Sequence, residues 1–299
     1  MPNPREIHRH MRSVTNIRQI TKAMKMVASA RLRKAQERAI TTKPFAEKIK
    51  QLLQDAVSDR SVLGHIDPKS MPLLEQRPVK RTGYIVVSSD KGLAGPYNSN
   101  VLKHAQMELM DSDDYTLITV GRKAKEFFSR RGYDISEALF GFSDKPSYEN
   151  ANDIARAAIK IFLNGSVDEV VLIYTEFKSA LASTPVTKHV LPIVPPAAAE
   201  ETDAKASGAQ ASANEIIFEP NPVDVIKQLL PYYVKTEIYA ALMQCAASEL
   251  GARMTAMSSA TDNASDLIRN LELSYNKARQ AGITNEINEI VGGAEALNS

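Results

Sequence analysis

Two short clusters hold the side-chain types that most often do chemistry. Ser88-Ser89-Asp90 sets two hydroxyls beside a carboxylate, and Gly92-Leu93-Ala94-Gly95 follows almost at once. A nucleophilic serine and a glycine loop cradling a phosphate would each draw on such residues. Neither spacing fits. No G-x-S-x-G elbow surrounds the serines, and the glycines match neither G-x-G-x-x-G nor G-x-x-x-x-G-K-[ST]. The stretch reads as a strand end running into a tight polar turn that needs positive φ. His8 and His10 look like a metal pair, yet residues two apart on a helix point to different faces. His65, His104 and His189 are scattered, and Cys245, with no histidine near it in sequence, reads as a buried helical thiol. The expectation is no catalytic residue, no metal and no cofactor.

Two other groups concern partners rather than reactions. Arg31-Leu32-Arg33-Lys34, with Arg38 and Lys43, is either a solvated helix face or a contact for an acidic protein. Nucleic acid is not expected, because no aromatic residues interleave to stack bases. Met24, Met26, Met254 and Met257 either fill a core between two helices or form an interface that can be remodelled.

The 299 residues allow one or two domains, and 43% apolar residues allow a sizeable core. Aromatics are only 6%, with no tryptophan, a balance that suits long helices better than a β-sandwich. A single cysteine excludes an internal disulfide framework and fits a reducing compartment. No stretch approaches the roughly 18–20 apolar residues of a membrane span, and MPNPREIHRHMR has no apolar signal core. The chain therefore reads as cytosolic, and able to dock on a membrane complex. Net charge is +2 but unevenly spread. Residues 1–50 hold thirteen Lys/Arg against three Asp/Glu, and residues 249–299 hold four against seven.

The elements that carry these residues follow from the apolar pattern. Pro4 after Asn3 starts a helix. Ile7, Val14, Thr21, Ala28 and Ala35 recur every seven residues, Ile17 and Met24 fill the intermediate positions, and Ile20 and Val27 widen the seam. Pro44 is expected to bend or interrupt this helix. Residues 59–80 read as a linker. Residues 81–220 alternate short apolar strands (84–87, 115–121, 169–177, 186–195, 216–220) with helices (100–110, 122–131, 148–164), which predicts an α/β layer with a largely parallel sheet. Within it, 196–215 is an Ala/Ser/Glu-rich flexible insertion. Residues 1–58 and 221–299 are then the two helical ends.

The last helix has the plainest pattern. Leu250, Met254, Met257, Thr261, Ala264, Ile268, Leu271, Tyr275 and Ala278 alternate spacings of four and three. From 222 to 281 it would run roughly 90 Å at ~1.5 Å per residue, further than a compact domain of this size reaches. The basic first helix and acidic last helix can pair antiparallel, with register set by a seam of small residues. Such a seam buries little area, so the pair would be marginal without surrounding protein.

Four stretches carry a family resemblance: IRQITKAMKMVASARLRKAQ (17–36), SSDKGLAGPYN (88–98), SELGARMTAMSSATDNASDLI (248–268) and YNKARQAGITNEINEIVGGAEA (275–296). They resemble the gamma subunit of F-type ATP synthase, bacterial type. The last holds that family's I-T-x-E-x-x-E-x-x-x-G-A signature, with Ile283, Thr284, Glu286, Glu289, Gly293 and Ala294 in place. The cysteine-pair insert of chloroplast members is lacking. The resemblance implies a long antiparallel coiled coil of the N- and C-terminal helices plus a Rossmann-like α/β domain. It implies a rotor shaft inside a ring of three alpha and three beta subunits, with the α/β domain as a foot, beside epsilon, on the c ring. Proton flow would turn the foot and the shaft would change nucleotide affinity at each beta subunit. The chain would itself be non-catalytic, peripheral to the membrane through the c ring, on the cytoplasmic side of the bacterial inner membrane.

By the same resemblance, Met24 and Lys25 would face an acidic lever of the beta subunit. Arg253, Arg279, Gln280, Thr284, Glu286 and Glu289 would make polar contacts with the alpha/beta ring. Phe218 and Glu219 would lie on the foot, towards the c ring. The alternatives are an α/β enzyme for a small molecule with dimerising helical arms, and a coiled-coil nucleic-acid clamp.

Overall fold

The computed structural model describes residues 4–58, 71–112, 114–194 and 222–298. They fall into two compact units, 31–252 and, from the two ends of the chain, 1–30 with 253–299. The first is built on a sheet and the second on paired helices. Phe218, Glu219, the 196–215 insertion and the strand expected at 216–220 lie outside the described residues.

The sheet unit has five strands: β1 (Thr82–Val87), β2 (Tyr115–Val120), β3 (Ile135–Leu139), β4 (Glu169–Phe177) and β5 (Ser183–Leu191). Their order is β3-β2-β1-β4-β5. The first four are parallel, and β5 returns antiparallel along β4. Three helices connect them: α2 (Tyr97–Met110), α3 (Arg122–Ser129) and α4 (Tyr148–Leu163). Side chains alternate across a strand, so β1 feeds two cores at once. Tyr84 and Val86 pack with Leu117 and Ile173 beneath α2 and α3, where Val101, Ala105 and Phe128 close the layer. Ile85 and Val87 face the other way, with Ile118, Leu172 and the Ala/Ile face of α4. That second layer is shared with the first turns of α5 (Pro222–Asn298), through Ile226, Leu230, Val234, Ile238 and Leu242.

Two expectations need correction, and a third is narrowed. α1 (Pro4–Ser58) runs through Pro44, so of the two outcomes expected there interruption is excluded. Pro44 is exposed, so the backbone carbonyl that loses its partner can turn to water. β3 was not expected at all, because ISEAL is only partly buried and lacks a continuous apolar run. Ile17, Ile20 and Val27, read as part of the seam, are 49%, 59% and 53% exposed. One partner helix covers one stripe, and these three lie beside it. Element ends also shift: α2 starts three residues before Asn100, and α3 stops at Ser129 rather than Arg131.

In the helical unit the start of α1 lies antiparallel to the end of α5. His8 meets Tyr275, with ring centroids 6.1 Å apart. Val14 packs with Ala264, Ile268 and Leu271. The Thr261 hydroxyl lies 2.9 Å from that of Thr21, and Lys25 Nζ donates to Ser258 Oγ at 2.9 Å. Each step forward on one helix is matched by an equal step back on the other, which fixes a single register. Ile7, Val14, Thr21 and Ala28 are buried on α1, and Met257, Ala264 and Ile268 on α5.

Candidate functional site

The register decides which residues are left for a partner. Since His8 sits at Tyr275, α1 runs out near Pro4 while α5 continues to Asn298. The end of α5 accordingly exposes Ile283 (48%), Ile287, Ile290 (70%) and Val291. Fully burying such a side chain is worth about 1.5–3 kcal/mol. Four in two adjacent rows of one helix form an apolar surface that the described residues of this chain leave open. Polar groups are interleaved with it. Arg279, Gln280, Thr284, Glu286 and Glu289 are all exposed on the same turns. Thr284 Oγ1 donates back to the Gln280 backbone carbonyl at 3.0 Å, which fixes its rotamer. Gly292 and Gly293 lie within the helix with open space where a Cβ would stand. The structure thus gathers five of the proposed ring contacts onto the same stretch of helix.

The other three lie further along the pair. Met24 is half-buried beside the seam. Lys25 is exposed and holds Ser258 across the seam. Arg253 is 9% exposed, buried rather than presented as a surface contact. Exposed apolar residues that were read as seam, Ile17, Ile20 and Val27, belong with Met26 (59% exposed) to a second uncovered flank. Heptad spacing marked them as apolar but could not say which of them a single partner helix would reach.

Ligands of α/β sheets bind beyond the carboxyl ends of the parallel strands, and here that place is filled. The cavity bounded by Ser88, Asp90, Tyr97, Phe142, Leu242 and Cys245 measures about 10 Å³, against the several hundred of a ligand site. Asp90 is used as a clamp. Its Oδ1 accepts from the Arg122 amide at 3.0 Å, and its Oδ2 from the Gly141 and Ser143 amides at 2.9 Å each. Ser88 Oγ accepts from the Ala124 amide at 2.8 Å. Ser89 bonds Asn98 and the Lys91 carbonyl. The serines and the aspartate therefore tie β1 to the starts of α3 and α2 and to the loop after β3. Gly121, at φ +93, is required there, because a Cβ would lie 2.3 Å from the Ser88 carbonyl oxygen. Leu93 and Gly95 take the positive φ expected of the turn.

Burial holds the Cys245 thiol protonated, its pKa pushed up to about 12. Desolvation likewise raises Tyr97 beside it. Asp144 is lowered: desolvation opposes the shift, and the Lys91 hydrogen bond, with the charges of Lys91 and Arg31, overcomes it. Arg31 reaches Asp144 at 2.5 Å and Lys91 reaches it at 3.2 Å. So one member of the basic run anchors α1 to the loop after β3, which the run's composition did not reveal. No group of His, Cys, Asp and Glu among the described residues is placed to hold a metal. None of the described helices is long and apolar enough to cross a membrane.

A sequence model of the family described as ATP synthase matches residues 3–297. The chain is 46% identical over 297 residues to an ATP synthase gamma chain from Heliobacterium modesticaldum, covering 99% of this chain and 100% of that one. It is 43% identical over 296 residues to one from Brevibacillus brevis, covering 98% of each. Among solved structures, a chain of the Euglena gracilis mitochondrial ATP synthase (OSCP/F1/c-ring, rotational state 3) aligns with a TM-score of 0.66 at 18% identity, over 98% of this chain and 94% of that one. One from the Tetrahymena thermophila mitochondrial ATP synthase central stalk and c-ring gives 0.60 at 23%, over 81% and 99%.

Proposed function

We propose a function on one premise: the chain belongs to the ATP synthase gamma-chain family. It is the central rotor shaft of a proton-translocating F-type ATP synthase. The paired ends of α1 and α5 enter a ring of three alpha and three beta subunits, and the sheet unit stands with epsilon on the c ring. The chain itself binds no nucleotide for catalysis. It works peripherally, on the cytoplasmic side of a bacterial inner membrane.

The observation that carries this reading is the end of α5, where Ile283, Ile287, Ile290 and Val291 stand uncovered among Arg279, Gln280, Thr284, Glu286 and Glu289. An apolar collar formed by the ring would bury the isoleucines. Charge-assisted hydrogen bonds to the polar residues would act as catches at particular angles. The helical pair has different groups on each flank: Ile17, Ile20 and Val27 on one, Lys25 by Ser258 on another. It therefore cannot make equal contacts with three equivalent subunits. Each angle favours a different conformation at each site, and nucleotide affinity changes by the difference in contact free energy between states. Turned by the c ring the shaft drives synthesis, and turned by hydrolysis it drives the c ring. Phe218 and Glu219 belong to the c-ring side of the foot in this proposal.

The test is co-expression with alpha and beta subunits. The full chain is expected to co-purify with both and to be needed for coupled ATPase activity. A chain that assembles with neither would refute the proposal. The small-molecule enzyme loses its footing with the filled cavity at the strand ends.

A further inference from the structure

One face of α3 carries three cations against a single carboxylate in the concavity they line. Arg122, Lys125 and Arg130 flank Phe140, just beyond β3, and with Glu126 and Ser129 they line an open concavity of about 390 Å³. Phe140 is 45% exposed. The Arg122 guanidinium lies 5.8 Å from its ring centroid and the Lys125 ammonium 5.1 Å. Among the described residues none of the three cations forms an ion pair. Glu126, the only carboxylate in the lining, is held by Lys123 at 2.9 Å. Its pKa is lowered, first by that hydrogen bond and then by the charges of Lys123, Arg130 and Arg122. The Asp90 carboxylate answers the positive end of the α3 dipole through the Arg122 backbone amide at 3.0 Å, and no acidic residue within the first turn of α3 faces the Arg122 side chain. Contact with an exposed ring returns little for each cation.

We infer that this face docks an acidic peptide segment of a partner protein. Arg122, Lys125 and Arg130 are three and five residues apart and span about 12 Å, at ~1.5 Å per residue. That spread is too wide for one phosphate group to bridge, and it matches carboxylates set one turn apart on a partner segment. Arginine forks suit carboxylates. Phe140 at the centre supplies the apolar anchor that gives a charged contact its place. A bilayer would require that ring to stand clear, whereas two cations lie over it. The inference does not rest on the rotor reading. It is tested on the isolated full chain, so its failure leaves assembly with alpha and beta subunits unaffected.

The probe is a short synthetic helical peptide with glutamates one turn apart and a leucine between them, followed by fluorescence anisotropy. Binding is expected to weaken with salt. It should fall at least ~tenfold in the triple variant Arg122→Glu, Lys125→Glu, Arg130→Glu, and less in Phe140→Ala. Lys160→Glu, on α4, should leave it unchanged. Should the triple variant melt, the wild-type chain still gives a readout: amine-reactive labelling of Lys125, read by mass spectrometry, should be suppressed by the peptide. The inference is overturned if the peptide does not bind, if it binds without protecting Lys125, or if the folded triple variant binds it as well as the wild type. It is overturned in favour of a phosphate or a membrane if ATP, or vesicles containing phosphatidylserine, engage these residues and the peptide does not.

Discussion

The sheet unit and the helical unit are stabilised in opposite ways. In the sheet unit, large side chains are sealed: Ile85, Leu117, Ile118, Phe128, Phe162 and Leu172 are all at 0% exposure. In the helical unit the small residues Thr21, Ala28 and Ala264 share the buried stripe with Ile7, Val14, Met257 and Ile268, and many larger apolar residues, Ile17, Ile20, Val27, Ile283 and Ile290 among them, face outward. A unit that puts its methyl groups inside is stable by itself. One that puts them outside relies on protein it has yet to meet. In the proposed function, the surface with unmet burial is the one that the partners cover.

The contrast predicts a graded set of outcomes. The largest belongs to the sheet unit, where Phe128→Ala removes a ring packed edge-on to Phe127 and Tyr133. It should cost about 3–5 kcal/mol, read from urea unfolding. Gly121→Ala comes next, at about 2 kcal/mol or more, because a left-handed φ and a backbone clash act together. A loss as large as either on changing Ile283 or Ile290 to Ala in the isolated chain would break the comparison. In the helical unit, Ala264→Leu should cost about 1–3 kcal/mol by forcing the helices apart, with helicity loss on heating as the measure. Thr21→Ala removes one inter-helix hydroxyl contact and should cost about 1 kcal/mol. The smallest effect is expected from deleting residues 283–299. Unfolding of the sheet unit should stay within about 0.5 kcal/mol of the full chain, while assembly with partners falls. Loss of the sheet unit's circular dichroism in that deletion would refute the separation.

What the sequence could reveal depended on whether a residue's environment is local. The four-and-three spacing from Leu250 to Ala278 was legible because each of those positions is buried or half-buried on one stripe of the helix. β1 and β4 were legible as apolar runs because both faces of the sheet are covered. β3 was not, since an edge strand needs no such run and the alternation in ISEAL is weak. Ile17, Ile20 and Val27 obeyed helical periodicity and were still misassigned, because periodicity gives a face and not the width of what covers it. At the candidate site, the mixed apolar and acidic character of 283–291 could be read directly. The inward place of Arg253, and the tie from Arg31 to Asp144, depend on folding that brings distant residues together.

The stretch of the seam lined by Thr21, Ala28, Thr261 and Ala264 has a mechanical consequence. Helices that meet on small side chains lie at the short end of the usual 8–10 Å axial separation. Resistance to twisting grows steeply with the radius of a rod, so a slender pair winds further under a given load than one spaced by leucines. Replacing the buried alanines with larger residues would therefore change the spring constant of the pair as well as its melting point, and the two should be measured separately.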